Sequence, residues 1–140
     1  MVSENSSQVR ILIIDDEIGF TDILSKRMAR RGIDSVKANS GAEAIQVLRW
    51  QNFDAALLDL KMEDMDGIDV LKIFKKMVPK LPVIMLTGHG CQESAEEGMA
   101  LGAADYLIKP CDLEELVAKI HAAIAMARKE EGVPRENSDG

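Results

Sequence analysis

Three aspartates, one threonine and one lysine stand at the ends of four apolar runs. Asp15 and Asp16 follow Ile11-Leu12-Ile13-Ile14, and Asp59 follows Ala55-Ala56-Leu57-Leu58. Thr87 follows Val83-Ile84-Met85-Leu86, and Lys109 follows Tyr106-Leu107-Ile108. Two carboxylates about 5 Å apart repel by about 3 kcal/mol at an effective dielectric near 20, so three together call for a cation. Oxygen donors with no His or Cys beside them suit Mg2+ better than zinc. An ion held this way is the usual partner of a phosphoryl group. Lys109 supplies a second positive charge for phosphate oxygens, and Thr87 a hydroxyl donor. A carboxylate oxygen can then act as nucleophile and form an acyl phosphate. The residue types converge on phosphoryl transfer.

These side chains can meet only if the elements carrying them lie side by side. Val9 to Ile14 is a short β-branched run of the kind that forms a buried parallel strand. Phe20, Ile23, Leu24 and Met28 then recur at helical spacing, and Gly32 closes that helix. A weaker strand spans Asp34 to Ala38. Ser40 with Glu43 forms a capping box for a second helix, running to about Gln51. Asp54 to Asp59 reads as the third strand, and Asp66-Gly67 opens a third helix with Ile68, Leu71 and Phe74 in phase. Pro82 to Leu86 is the fourth strand; a fourth helix runs from near Gln92 to Leu101, weakened internally by Gly98. Ala104 to Ile108 is the fifth strand. Asp112 with Glu115 caps the last helix, whose stripe is Leu113, Leu116, Val117, Ile120 and Ile124.

Five strand–helix units in alternation imply an α/β fold: a parallel sheet with helices on both faces and right-handed crossovers. Sites in such sheets form beyond the carboxyl ends of the strands, where strand order reverses. Asp15, Asp16, Asp59, Thr87 and Lys109 are therefore expected at one edge.

The chain's 140 residues fit a single domain, expected over residues 9–128, with a polar disordered start (1–8) and a charged flexible tail (129–140). Aromatics make up only 4% of a 46% apolar composition, so the core must be Ile, Leu, Val, Met and Ala. A net charge of −7 argues against a nucleic-acid partner, which would want a basic face. Cys91 and Cys111 fit neither a metal spacing nor a disulfide framework and read as reduced, structural thiols. Nothing approaches the roughly 18 apolar residues of a membrane helix, and residues 1–8 are not signal-like, so a cytoplasmic location is expected.

The stretches Ile13-Ile14-Asp15-Asp16-Glu17, Leu57-Leu58-Asp59-Leu60-Lys61-Met62, Asp66-Gly67, Leu86-Thr87-Gly88, Gly102-Ala103 and Asp105-Tyr106-Leu107-Ile108-Lys109-Pro110 occur in one order from about residue 9 to 127. In this the chain resembles the receiver domain of two-component response regulators, of the single-domain, chemotaxis-regulator-like type. The resemblance implies a flavodoxin-like (βα)5 three-layer sandwich with strand order 2-1-3-4-5. It implies that Asp59 accepts a phosphoryl group from a phosphohistidine on a sensor histidine kinase or a histidine phosphotransfer protein. Mg2+ would be held by Asp16 and Asp59 directly, by Asp15 through water, and by the backbone carbonyl of Lys61. Thr87 and Lys109 would grip the phosphoryl oxygens, and Tyr106 would be the switch aromatic, outward when inactive and inward when phosphorylated; its size also suits a partly buried wedge. The fourth helix, fifth strand and fifth helix would form the surface that meets a downstream protein, and could pair two copies. The family also has a cis peptide at the position of Lys109-Pro110. Such a protein is not an enzyme beyond catalysing its own phosphorylation and dephosphorylation.

The chain departs from the family at Glu63, where proline is usual, followed by Asp64. That loop is expected to be more acidic and less constrained, its added charge solvated. Lys61 and His89 stand beside the acceptor at positions thought to tune hydrolysis; the long Lys61 side chain suggests slow dephosphorylation. His89 reads as an exposed loop residue and His121 as structural or solvated. Other readings fit less well. A phosphatase of the haloacid dehalogenase type needs an aspartate two residues after its nucleophile, where this chain has Lys61. A dinucleotide site from Gly88-His89-Gly90 lacks its third glycine, replaced by Glu93. With no basic stretch after Arg128, a stand-alone receiver is expected over a fragment of a transcription regulator.

Overall fold

The central apolar runs become strands covered on both faces, while the edge strands are only partly buried. In the computed structural model, which describes residues 8–88 and 92–139 with side chains through residue 130, every residue of Ala55–Asp59 and of Val83–Thr87 is buried. The elements in chain order are β1 (Val9–Ile14), α1 (Ile18–Arg30), β2 (Ile33–Ala38), α2 (Gly41–Trp50) and β3 (Ala55–Asp59). They continue with α3 (Gly67–Met77), β4 (Val83–Thr87), α4 (Gln92–Ala100), β5 (Asp105–Ile108) and α5 (Leu113–Asp139). All strand pairs are parallel, in the order β2-β1-β3-β4-β5. This is the three-layer parallel arrangement that the alternation predicts, in the flavodoxin-like strand order that the resemblance implies.

The period of two along each strand separates two cores. Leu12, Ile14, Leu58 and Met85 pack with Leu48 of α2 and Leu71 and Phe74 of α3. Ile11, Ile13, Leu57 and Ile84 pack on the opposite face with Leu24 and Met28 of α1 and Leu116 and Ile120 of α5. Each such side chain contributes about 1.5–3 kcal/mol by leaving water.

Local signals set the helix starts. Ser40 accepts from the Glu43 N–H at 3.0 Å, while Glu43 reaches back to the Asn39 N–H at 2.7 Å, one residue earlier than the usual reciprocal box. Asp66 caps α3 by accepting from the Ile68 N–H at 2.9 Å. The next residue, Gly67, has no room for a side chain: a Cβ there would lie 2.5 Å from Leu60 Cα and 2.8 Å from the Asp59 carbonyl oxygen. Its N–H instead donates to the Leu60 carbonyl at 3.1 Å, bringing α3 hard against the end of β3.

Three details differ from the sequence expectation. Ile23 is exposed rather than part of the packed stripe of α1. Gly98 is buried, and a Cβ there would meet the Met85 side chain, so the glycine lets α4 approach the sheet. The backbone of α5 stays helical to Asp139, past the expected end at residue 128. Apolar periodicity marks where packing stops, at Ile124. Arg128-Lys129-Glu130-Glu131 are strong helix formers that carry the helix past that point, ahead of Gly132 and Pro134. The expected disordered start lies outside the described residues except for Gln8, which is exposed.

Candidate functional site

Strand order reverses between β1 and β3, and the crevice beyond their carboxyl ends collects the expected residues. Asp15 and Asp16 leave the end of β1, and Asp59 is the last residue of β3. Each of the three offers a carboxylate oxygen within 4.8 Å of the others. The β3–β4 register sets Asp59 opposite Leu86, which leaves Thr87 one step further along the same edge, buried. Lys109 follows β5, its N–H bonded to the Thr87 carbonyl at 2.7 Å, across the cis Lys109–Pro110 peptide from Pro110.

The charges are held by specific donors. Asp15, fully buried, accepts from Lys109 Nζ at 2.7 Å and from the Glu17 N–H at 3.0 Å. Asp59 accepts from the Lys61 N–H at 3.2 Å and lies 3.8 Å from Lys109 Nζ. Asp16 accepts from the Glu63 N–H at 3.0 Å. Burial, then the charge of Asp15 and more weakly that of Asp16, raise the Asp59 pKa to about 6, against the opposing pull of Lys109 and the Lys61 N–H. Burial works against the charge on Lys109, but its bond to Asp15, with the charges of Asp15, Asp59 and Glu17, holds its pKa above the ordinary lysine value. A carboxylate this reluctant to ionise, beside two others, fits a site whose charge a divalent cation completes. The donors are all oxygens, the set that suits Mg2+. Asp16 and Lys61 line one open cleft of about 670 Å³, with Glu63, Asp64 and Ser94 on its walls.

Tyr106, on the edge strand β5, is 36% exposed and so faces outward. His121 is exposed on α5. His89, Gly90 and Cys91 lie outside the described residues. Cys111 is half-buried and unbridged.

Sequence reasoning missed several contributors. Phe20, counted as part of the α1 stripe, puts its ring 4.5 Å from Lys109 Nζ, and Glu17 lies 3.9 Å from the same atom. Asn39 donates to the Asp15 carbonyl at 2.9 Å and to Thr21 Oγ1 at 3.1 Å, tying the ends of β1 and β2 to α1. Glu63-Asp64 pointed to a less constrained loop after β3, but the loop is pinned. Asp64 accepts from the N–H groups of Gly41 and Ala42 at 3.0 and 3.1 Å, which holds its carboxyl below the usual range. Glu63 itself is exposed, in line with a solvated charge.

A doubly wound sheet with an acidic cluster at its switch point is the frame of many phosphate-handling proteins, and the comparisons narrow it. The family model for the response regulator receiver domain matches residues 11–121, and the chain belongs to that family. It is 40% identical to the transcriptional regulatory protein ZraR of Escherichia coli K12 over 117 residues, which make up 84% of this chain and 26% of that protein. The regulatory protein AtoC of the same organism is 38% identical over 117 residues, 84% of this chain and 25% of AtoC. The chain thus spans about a quarter of the length of these curated relatives. Among solved structures, a receiver domain protein from Clostridium thermocellum superposes with a TM-score of 0.82 at 32% identity, covering 86% of this chain and 97% of that one. A CheY-like receiver domain protein from Methanospirillum hungatei gives 0.84 at 30% identity, covering 89% and 99%. Among the described residues no helix is long and apolar enough to cross a membrane.

Proposed function

We propose that this chain accepts a phosphoryl group on Asp59 from a phosphohistidine of a sensor histidine kinase or histidine phosphotransfer protein, and that phosphorylation changes the surface formed by α4, β5 and α5. The observation that carries the reading is the meeting of Asp15, Asp16 and Asp59 within 4.8 Å, with Lys109 Nζ 3.8 Å from Asp59. In the transfer, an Asp59 oxygen attacks phosphorus, the phosphorus–nitrogen bond of the donor breaks, and the imidazole leaves. Mg2+ bound by Asp15, Asp16, Asp59 and the Lys61 carbonyl would neutralise charge on the phosphoryl oxygens. Lys109 exchanges its bond to Asp15 for one to a phosphoryl oxygen, and the Thr87 hydroxyl donates to another. Tyr106 then turns inward into the space Thr87 vacates.

A phosphoryl group that favours the active state by about 2.7 kcal/mol shifts its ratio to the inactive state roughly a hundredfold. The output is a change in protein partner, with pairing of two copies through the same face as one form of it. The net charge of −7 disfavours direct contact of these residues with nucleic acid. The only reactions catalysed are the chain's own phosphorylation and hydrolysis, and the cytoplasm, where a kinase's phosphohistidine would be met, is the expected place.

The test is intact-protein mass spectrometry after incubation with acetyl phosphate, with and without Mg2+, on the wild type and Asp59→Asn. A gain of one phosphoryl mass that needs Mg2+ and is lost in the variant supports the proposal. A gain that persists in Asp59→Asn assigns the acceptor elsewhere.

A further inference from the structure

The three clustered aspartates are not oriented in the same way. Asp15 and Asp59 each accept a backbone N–H from two residues further along, Glu17 at 3.0 Å and Lys61 at 3.2 Å. These bonds are local and form wherever the turn forms. Asp16, the least buried of the three, takes its N–H from Glu63, 47 residues away, at 3.0 Å. The loop that delivers this N–H is itself pinned. Asp64, the next residue, accepts from the N–H groups of Gly41 and Ala42 at the start of α2, and Lys61 and Asp66 pair as an isolated bridge at the loop's two ends.

We infer that Glu63 is a positioning residue: its peptide N–H holds one oxygen of Asp16 and so presents the other to the cation, with Asp64 anchoring the loop to α2. The inference rests on the reading of the aspartate cluster as a Mg2+ site. The side chain of Glu63 is exposed and takes no part; what matters is that the residue has an N–H at all. A proline at this position would have none. This chain therefore orients Asp16 by a bond that a proline-bearing chain cannot make. Partners that orient a metal ligand typically change metal affinity by about 10–100-fold when removed.

The experiment compares Mg2+ titrations, followed by amide chemical shifts, for the wild type, Glu63→Ala and Glu63→Pro. Thermal unfolding in EDTA is recorded in parallel. Glu63→Ala keeps the N–H and should bind Mg2+ like the wild type; Glu63→Pro should bind about tenfold more weakly. Equal affinity in the proline variant, or equal loss in the alanine variant, would overturn the role of the N–H. Should Glu63→Pro not fold, the Glu63 amide proton of the wild type decides. It should lie downfield and move upfield in Asp16→Ala, and an unmoved resonance removes the proposal. A wild type that binds no Mg2+ overturns the cation site itself, and this role with it.

Discussion

Lys109 is bonded to Asp15 and not to Asp59: its Nζ lies 2.7 Å from Asp15 Oδ2 and 3.8 Å from Asp59 Oδ1. The lysine proposed to grip the phosphoryl group is thus held in reserve by a carboxylate with no solvent exposure. The same contact stabilises the fold, because an unpaired buried charge is costly. Lys109→Met should lower metal-free stability at pH 7 by about 3 kcal/mol, read by urea denaturation in EDTA. A loss below about 1 kcal/mol, the scale of an exposed pair, would mean that Asp15 does not depend on the lysine.

Asp59 behaves oppositely. Its pKa is raised from 3.8 to about 6, so between those values the folded chain holds a proton that the unfolded chain has released. Metal-free stability therefore falls as pH rises from about 4 to 6 and levels off above. Asp59→Asn should remove that fall. Wild type and variant should be closest near pH 4, with the variant more stable at pH 7.5 by about 1–2 kcal/mol after allowance for solvent screening. A variant that melts clearly lower in EDTA at pH 7.5 contradicts the repulsion that the geometry shows.

The same proton competes with the cation. Mg2+ affinity should be flat above about pH 7 and fall roughly tenfold for each pH unit below about 6, as Asp59 protonates. Calorimetric titration across that range checks it. An affinity unchanged down to pH 5 would show that Asp59 is not a ligand.

Gly67→Ala tests the join between β3 and α3. The added methyl would meet Leu60 Cα and the Asp59 carbonyl oxygen, both backbone atoms at under 3 Å. Side-chain rotation cannot relieve that clash. A loss of about 1–3 kcal/mol is expected, together with slower phosphorylation by acetyl phosphate as the end of β3 shifts. A fully active variant of normal stability would mean that α3 can move away freely.

Lys61 is exposed beside the acceptor, its N–H on Asp59, so its side chain is free to cover the path of an attacking water. Phospho-Asp59 should persist for minutes or longer, and Lys61→Ala should hydrolyse several-fold faster. A wild-type half-life of seconds, or an unchanged rate in the variant, removes the shielding role.

The sequence by itself marked β1, β3, β4 and β5, because a short apolar run that ends in a polar residue carries its own boundary, and it marked the half-exposed β2 more weakly. It also determined which residues could do chemistry, since Asp15, Asp59, Thr87 and Lys109 are each the first polar group after an apolar run, with Asp16 directly behind Asp15. Capping at Ser40 and Asp66 was equally local. Only the tertiary structure decided who pairs with whom. The Lys109–Asp15 bond joins residues 94 apart, and the Glu63–Asp16 bond residues 47 apart. Both follow from strand register and crossover, which no local pattern encodes. Asp64 read as one more solvated charge until the fold brought the start of α2 to it. Ile23 matched the helical period yet faces solvent, because a period names a face and only packing says how wide the covered part of that face is.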